Sequence, residues 1–89
     1  MLLERQSVID DGLEYRELPF NFNPKQIGIS HLLEQAYSLR VEIEDEKGQR
    51  EVFNDQMSAG EPLQAIFTID GHAAIRVFVN DILFQAWEQ

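Results

Sequence analysis

Two histidines are the first residues of this 89-residue chain to consider for acid–base chemistry or metal binding. His31 and His72 are far apart in sequence, and neither belongs to a metal-binding spacing such as HxxxH or HExxH. His72 follows Asp70-Gly71 in a predicted turn, where an exposed imidazole is ordinary. We therefore expect a structural or surface role for each histidine. An enzyme would require the fold to bring the two together in one cleft.

The densest group of carboxylates lies at Glu42 and residues 44–46, where it could bind a divalent cation. On a strand, Glu42 and Glu44 share one face while Asp45 points away. The loop that follows lacks the D-x-[DN]-x-[DN]-G spacing of an EF-hand. The pattern is more typical of a solvated strand edge whose charges discourage aggregation. The sequence predicts no metal and no other cofactor.

Signatures of other catalytic sites are missing from the sequence. The serines lack a G-x-S-x-G elbow, and the 5 glycines form no phosphate-binding loop. The chain has no cysteine, which excludes disulfides, thiol nucleophiles and cysteine-containing zinc sites. Paired carboxylates for glycoside cleavage stay open, although a domain this small rarely encloses a cleft of ~300 Å³ or more. We predict that the protein is not an enzyme.

The charge of the chain restricts the classes of partner. The 16 acidic residues outnumber the 7 basic ones, for a net charge of −9. Nucleic acids and anionic membranes are bound by clustered lysine and arginine, so neither is expected as a partner. A basic protein partner, or solubility alone, is compatible with the charge. The N-terminal sequence MLLERQSVIDD has no apolar signal region, so we expect a cytoplasmic protein if Met1 is the native start.

Strand patterns dominate the elements that must position these residues. Residues 38–45, SLRVEIED, alternate apolar and polar side chains, which predicts a half-buried strand. The loop at Glu46-Lys47-Gly48 then leads to a partner strand through REVFN. LQAIFTID at 63–70 predicts another strand after the turn-rich QMSAGEP. LLERQSVI and LEYRELPF flank Asp10-Asp11-Gly12 and predict a first hairpin.

Helical character is confined to residues 29–37, ISHLLEQAY. Leu32, Leu33 and Ala36 would share one face of a helix, and Ser30 could cap it. An extended segment that runs straight into the 38–45 strand is the alternative. Taken together, the elements predict one domain over 1–89 with about six strands and one short helix near 29–37. That combination is typical of a small antiparallel β-sandwich or barrel-like domain.

The last 16 residues, AIRVFVNDILFQAWEQ, predict a β-hairpin with a two-residue turn at Asn80-Asp81. In that register one face is wholly apolar and belongs to the core, with the pairs Val79–Ile82, Val77–Phe84 and Ile75–Ala86. The opposite face is mixed, with the pairs Phe78–Leu83, Arg76–Gln85 and Ala74–Trp87. A soluble hairpin needs only one apolar face, so the second one requires an explanation.

The turn before this hairpin, at Asp70-Gly71, permits two registers. A two-residue turn would pair Ile69 with His72 and would leave the mixed face so apolar that something must cover it. A loop one residue longer would place alternate residues of the 63–70 strand, from Leu63 to Ile69, on the core face. The hydrophobic pattern favours the longer loop, because a slip by one residue exchanges the two faces.

Phe78, Leu83 and Trp87 therefore form the one candidate contact surface, with Arg76 and Gln85 as polar contacts. They could instead be a second small core, covered by the N-terminal segment or by residues 29–37. As a surface they would bind a partner, because tryptophan and arginine are favoured interface anchors. We predict an adaptor, inhibitor or regulatory domain that binds a protein partner or a second copy of itself through this hairpin. A small-molecule or saccharide-binding module is the alternative, since aromatic rings can stack on sugars.

Overall fold

The computed structural model describes residues 15–89, which form six strands and two short helices. In chain order they are β1 (Tyr15–Phe22), α1 (Pro24–Ile27), α2 (Ser30–Glu34), β2 (Tyr37–Asp45), β3 (Gly48–Met57), β4 (Leu63–Asp70), β5 (Ala74–Val79) and β6 (Ile82–Glu88). The predicted strands at 38–45, 63–70 and both arms of the last hairpin are confirmed. The predicted first hairpin around Asp10-Asp11-Gly12 lies outside the described residues.

The strands form two antiparallel sheets that pack face to face. One sheet has two strands, β1 and β4, and the other has four in the order β3-β2-β5-β6. Inward-facing residues of both sheets make one core, whose buried apolar members are Leu18, Phe20, Phe22, Leu32, Tyr37, Leu39, Val41, Ile43, Met57, Ile69, Ala73, Ile75, Val77 and Val79. The predicted mostly β, sandwich-like fold is confirmed.

Strand β2 is the centre of the larger sheet and shows the predicted alternation. Its residues Leu39, Val41 and Ile43 are fully buried between the sheets. The residues between them face outward and carry charge, which keeps the outer face of this sheet in contact with water. The two-residue turn from Asp45 to Gly48 then leads into β3, also as predicted.

The expected hairpin between β4 and β5 is wrong. Strand β4 pairs with β1, and β5 pairs with β2, so the chain crosses from one sheet to the other between Asp70 and Ala74. Alternating hydrophobicity shows which face of a strand is buried but does not show which strand lies beside it. The inference about faces is nevertheless confirmed: Ile69 is buried, whereas Ile66 and Thr68 on the other side of β4 are exposed.

The predicted helix at 29–37 is shorter than the pattern indicated. It covers Ser30–Glu34 and is preceded by Ile29, which makes no side-chain capping bond, so Ser30 is not the cap. Leu32 is its one buried residue, and the backbone N–H of Gly60 donates to the Leu32 carbonyl at 2.7 Å. Beyond Gln35 the chain is extended and enters β2. The helical and the extended alternatives for residues 29–37 are therefore each correct for part of the segment.

None of the helices within residues 15–89 is long and apolar enough to cross a membrane.

Candidate interaction surface

The turn of the last hairpin has the predicted form and is held firmly. Asn80 and Asp81 both have positive φ, +52° and +66°, as a two-residue turn between twisted strands requires. Val79 pairs with Ile82 across it. The Asn80 N–H donates to the Ser38 carbonyl, and the Asn80 side-chain Oδ1 accepts from the Ser38 N–H, each at 3.0 Å. These two bonds fasten the hairpin tip to β2.

A β-bulge at Phe84, the third residue after the turn, makes the rest of the predicted register wrong. Phe78 pairs with Leu83 as expected, but Val77 then pairs with Gln85 instead of Phe84. Phe84 is thus an extra residue in β6. Because side chains alternate between faces, one extra residue reverses the face of every residue after it.

Trp87 lies on the core side of the hairpin as a result of this bulge. It pairs with Ile75, and its indole stacks on the ring of Phe20 with centroids 6.2 Å apart and planes 8° apart. Phe84 also turns toward the smaller sheet and meets Phe22 edge-on at 5.8 Å. Trp87 is therefore part of the contact between the sheets, so that Trp87→Ala would test the core and not the surface.

The outer face of the hairpin keeps Phe78, Leu83 and Arg76, but two of them already have partners. The Arg40 guanidinium lies 3.9 Å from the centroid of the Phe78 ring. Arg76 reaches Glu44 at 3.2 Å. Gln85, the second predicted polar contact, is paired with Val77 and lines the opposite side of the sheet, between the two sheets. The structure thus separates the five predicted contact residues onto two faces.

Three consecutive apolar residues at the start of β6 are exposed, and we call them the tip patch. Ile82 is 71% exposed, Leu83 52% and Phe84 39%. Ile82 and Phe84 were expected in the core, and this expectation is wrong. A two-stranded sheet cannot cover the whole inner face of a four-stranded one, and the hairpin tip extends past its cover. The sequence pattern contains no sign of where the covering layer ends.

Beside the tip patch, a groove of about 220 Å³ separates the hairpin from α2. We call it the tip groove. Its base includes the buried Leu32 and Val79, and the half-buried Ile29 lines it as well. His31 and Asn80 provide polar groups among its lining residues, and the tip patch forms the remainder. The groove is therefore mostly apolar and continuous with the exposed patch.

Strand β6 is also an edge strand with few charges. Within residues 15–89 it pairs with β5 alone, and Glu88 is its single charged residue. The other edge strand of this sheet, β3, carries Arg50, Glu51 and Asp55. Charges on an edge strand prevent unwanted pairing, so β6 is the less protected edge. The bulge at Phe84 still interrupts any regular ladder along it.

The two histidines do not come together. His31 lies beside Val79 at the tip groove, whereas His72 lies near Ala74 at the other end of β5. Among the described residues, no three potential ligands of the His, Cys, Asp or Glu type are grouped to hold a metal ion. The absence of enzymatic activity stays a prediction.

Asp45 has a structural role that the sequence analysis missed. Its side chain is 0% exposed and accepts from both terminal nitrogens of Arg50, at 2.9 and 3.1 Å. It also accepts from the backbone N–H groups of Asp70 and Lys47. Burial raises the pKa of Asp45, but the Arg50 and backbone hydrogen bonds outweigh it and hold the pKa below the ordinary value. The sequence signal for this role was an aspartate that directly precedes a two-residue turn.

Two of the other carboxylates in this acidic group, Glu42 and Glu44, are paired with arginine. Glu42 accepts a hydrogen bond from the Arg40 guanidinium, and its carboxylate lies 3.8 Å from the Arg76 guanidinium. Arg76 also forms an ion pair with Glu44. These ion pairs cross the outer face of the larger sheet. The cluster therefore serves as a charged outer surface rather than a set of convergent ligands.

Comparisons with models of protein families, with curated proteins and with solved structures gave no significant match.

Proposed function

We propose that the protein is a non-enzymatic interaction module that binds a protein partner through the tip of the β5–β6 hairpin. The observation that carries the proposal is the tip patch, where three consecutive apolar side chains are exposed beside an apolar groove. A strand in a sheet with one wet face needs only alternate apolar residues, so the fold does not account for this run. Contiguous exposed apolar surface is typical of interaction sites.

The backbone of the tip is well suited to present such a surface. Both bonds between Asn80 and Ser38 hold the turn against β2. A surface that is already ordered loses less conformational entropy on binding. Leu83 is the central residue of the tip patch. Among the five contact residues predicted from the sequence, it is the one that belongs to this patch.

The alternative, a saccharide site built on Trp87, has less support. Phe20 stacks against the indole, so one face of the ring is already occupied within the protein. A stacking platform for a sugar requires an accessible aromatic face. Titration of Trp87 fluorescence with saccharides tests this alternative directly.

The double variant Ile82→Ser with Leu83→Ser tests the proposal. We expect capture of a partner from the source cell to weaken at least about tenfold, because truncation of interface anchors costs ~2 kcal/mol or more. We expect the melting temperature to change little, because exposed side chains contribute within roughly 0.5 kcal/mol to stability. Affinity capture with quantitative mass spectrometry measures the first effect, and circular dichroism measures the second.

Ile66→Ser is the matched control, because Ile66 is 65% exposed on the outer face of the smaller sheet, away from the tip. It should retain the partner fully. Equal capture by the wild type and the tip variant would show that the tip is not the binding surface. A large loss of thermal stability in the tip variant would show instead that these residues belong to the core.

A further inference from the structure

We propose that the tip groove receives one bulky apolar side chain from a basic segment of the partner protein. This inference rests on the proposed function and specifies the chemistry of the partner.

The size and lining of the groove indicate a single side chain. Its volume of about 220 Å³ is below the ~300–1,000 Å³ of pockets that enclose small-molecule ligands. Leu32 and Val79 at its base are buried core residues, and Ile29 beside them packs on the core. A leucine, methionine or phenylalanine side chain placed here would leave water for an apolar environment. This removal of apolar surface from water favours binding.

The charges around the groove favour a basic partner. Five of the six basic residues within 15–89 have partners elsewhere in the fold: Arg16 with the Gly71 carbonyl, Arg40 with Glu42, Lys47 with the Tyr15 ring, Arg50 with Asp45 and Arg76 with Glu44. The sixth, Lys25, is on α1.

An exposed acidic residue, by contrast, adjoins the groove along the chain: Asp81 lies between the groove residues Asn80 and Ile82. With a net charge of −9 for the whole chain, the field at the tip attracts a basic segment and repels an acidic one.

A second copy of the chain is the less suitable occupant. It would bring another net charge of −9 to the same surface. The hydrogen bonds of continuous strand pairing along β6 could offset this repulsion. Such pairing requires a regular ladder, however, and the bulge at Phe84 interrupts it. Insertion of a side chain beside the bulge needs no such ladder.

Three short synthetic peptides of equal length test the inference. The first has lysines around one central leucine, the second replaces the leucine with serine, and the third replaces the lysines with glutamates. Each is titrated into the ¹⁵N-labelled 89-residue chain and followed by amide chemical shifts. We expect the lysine–leucine peptide to shift Ile29, Leu32 and Leu83. We expect the serine peptide to bind about tenfold more weakly, since the buried leucine contributes at least ~1.4 kcal/mol. Binding should also weaken as salt is added.

The controls separate this inference from the proposed function. Ile66→Ser should bind the lysine–leucine peptide as the wild type does, and the double tip variant should not. Three results would overturn the inference: no shifts at the groove, equal shifts with the leucine and serine peptides, or equal binding of the glutamate peptide. A dimer in light scattering whose groove amides move with protein concentration would assign the groove to a second copy and would overturn it as well. In each case, loss of the cellular partner by the tip variant would still support the proposed function. Retention of the partner by that variant would contradict both the proposed function and this inference.

Discussion

At the level of single residues, Asp45 joins the two sheets through one buried carboxylate. It bonds Arg50 of β3 and the backbone N–H of Asp70 at the end of β4. Arg50 in turn donates to the Thr68 carbonyl at 2.7 Å. The β2–β3 hairpin is therefore attached to the smaller sheet by polar contacts as well as by the core.

This arrangement predicts acid sensitivity that depends on Asp45. Its pKa in the folded protein lies below the ordinary value of 3.8, so its ionised form stabilises the fold above that pH, and this stability is lost as the pH falls through the folded-state pKa. Asp45→Asn should lower the free energy of unfolding at pH 7 by about 1.5–3 kcal/mol, as expected for hydrogen bonds to a charged group. The difference from the wild type should shrink below pH 4. Urea unfolding at a series of pH values measures both effects.

Glu51→Gln, at an exposed carboxylate of the neighbouring strand, is the control and should follow the wild-type pH dependence. If Asp45→Asn and the wild type lost stability in parallel on acidification, the proposed role of Asp45 would be wrong.

At the level of elements, the bulge in β6 determines which apolar residues of the last hairpin are buried. Without the bulge, a regular ladder with Phe84 paired to Val77 would have placed Trp87 opposite Ala74 on the outer face. With it, Trp87 lies opposite Ile75 and stacks on Phe20. The bulge thus moves the largest aromatic side chain of the hairpin into the core and leaves the tip patch outside.

Deletion of Phe84 tests this account of the register. Removing the extra residue should leave Gln85 opposite Val77 and Trp87 opposite Ile75, now without a bulge. We therefore expect the emission maximum of the single tryptophan to stay as in the wild type. The stability should fall by about 1–2 kcal/mol, since a half-exposed phenylalanine ring is lost.

Phe84→Ala is the companion variant, because it removes the ring but keeps the extra residue. It should show the same emission maximum and a similar loss of stability. A blue-shifted emission after the deletion would contradict the observed register, because it would mean that Trp87 faced water in the wild type and entered the core only when Phe84 was removed.

Particular elements show what the sequence could and could not predict. Alternation and turn residues were sufficient to place β2, β4 and the hairpin turn at Asn80-Asp81, because these signals are local. The partner of β4 was not predictable in this way, since a period of two identifies a face and not a neighbour. The bulge was also missed, because ILFQAWE contains no glycine or proline to mark it. As a consequence, the predicted contact surface placed Leu83 correctly on the outer face of the hairpin. It also placed Trp87 there, although Trp87 lies on the core side.

At the level of the whole molecule, the two sheets differ in how local their pairing is. β2 and β3 are joined by a two-residue turn, as are β5 and β6. β1 and β4, by contrast, pair Tyr15 with Asp70 across most of the chain, with β2 and β3 between them in sequence. Closure of such a long loop has an entropic cost that a tight hairpin avoids. The smaller sheet also has only two strands within the described residues.

We therefore expect the smaller sheet to open more readily than the larger one. Amides in β1 and β4 should exchange with solvent faster than those in β2 and β5. A partial opening breaks the long-range pairing between β1 and β4, whereas β2 and β5 each keep a neighbouring strand on both sides. Native-state hydrogen exchange, resolved by residue, measures this order. Equal protection in all four strands would contradict it and would indicate that the sandwich opens only as one unit.

The tip patch has a consequence for how this protein can diverge. Its Ile82 and Leu83 side chains contribute little to the core, while the backbone that presents them is held by Asn80 and by the neighbouring strand. Substitutions at Ile82 and Leu83 should therefore be tolerated by the fold, whereas substitutions at Trp87 should not. Descendants of one ancestral gene could acquire different binding preferences at the tip while inheriting an unchanged sandwich.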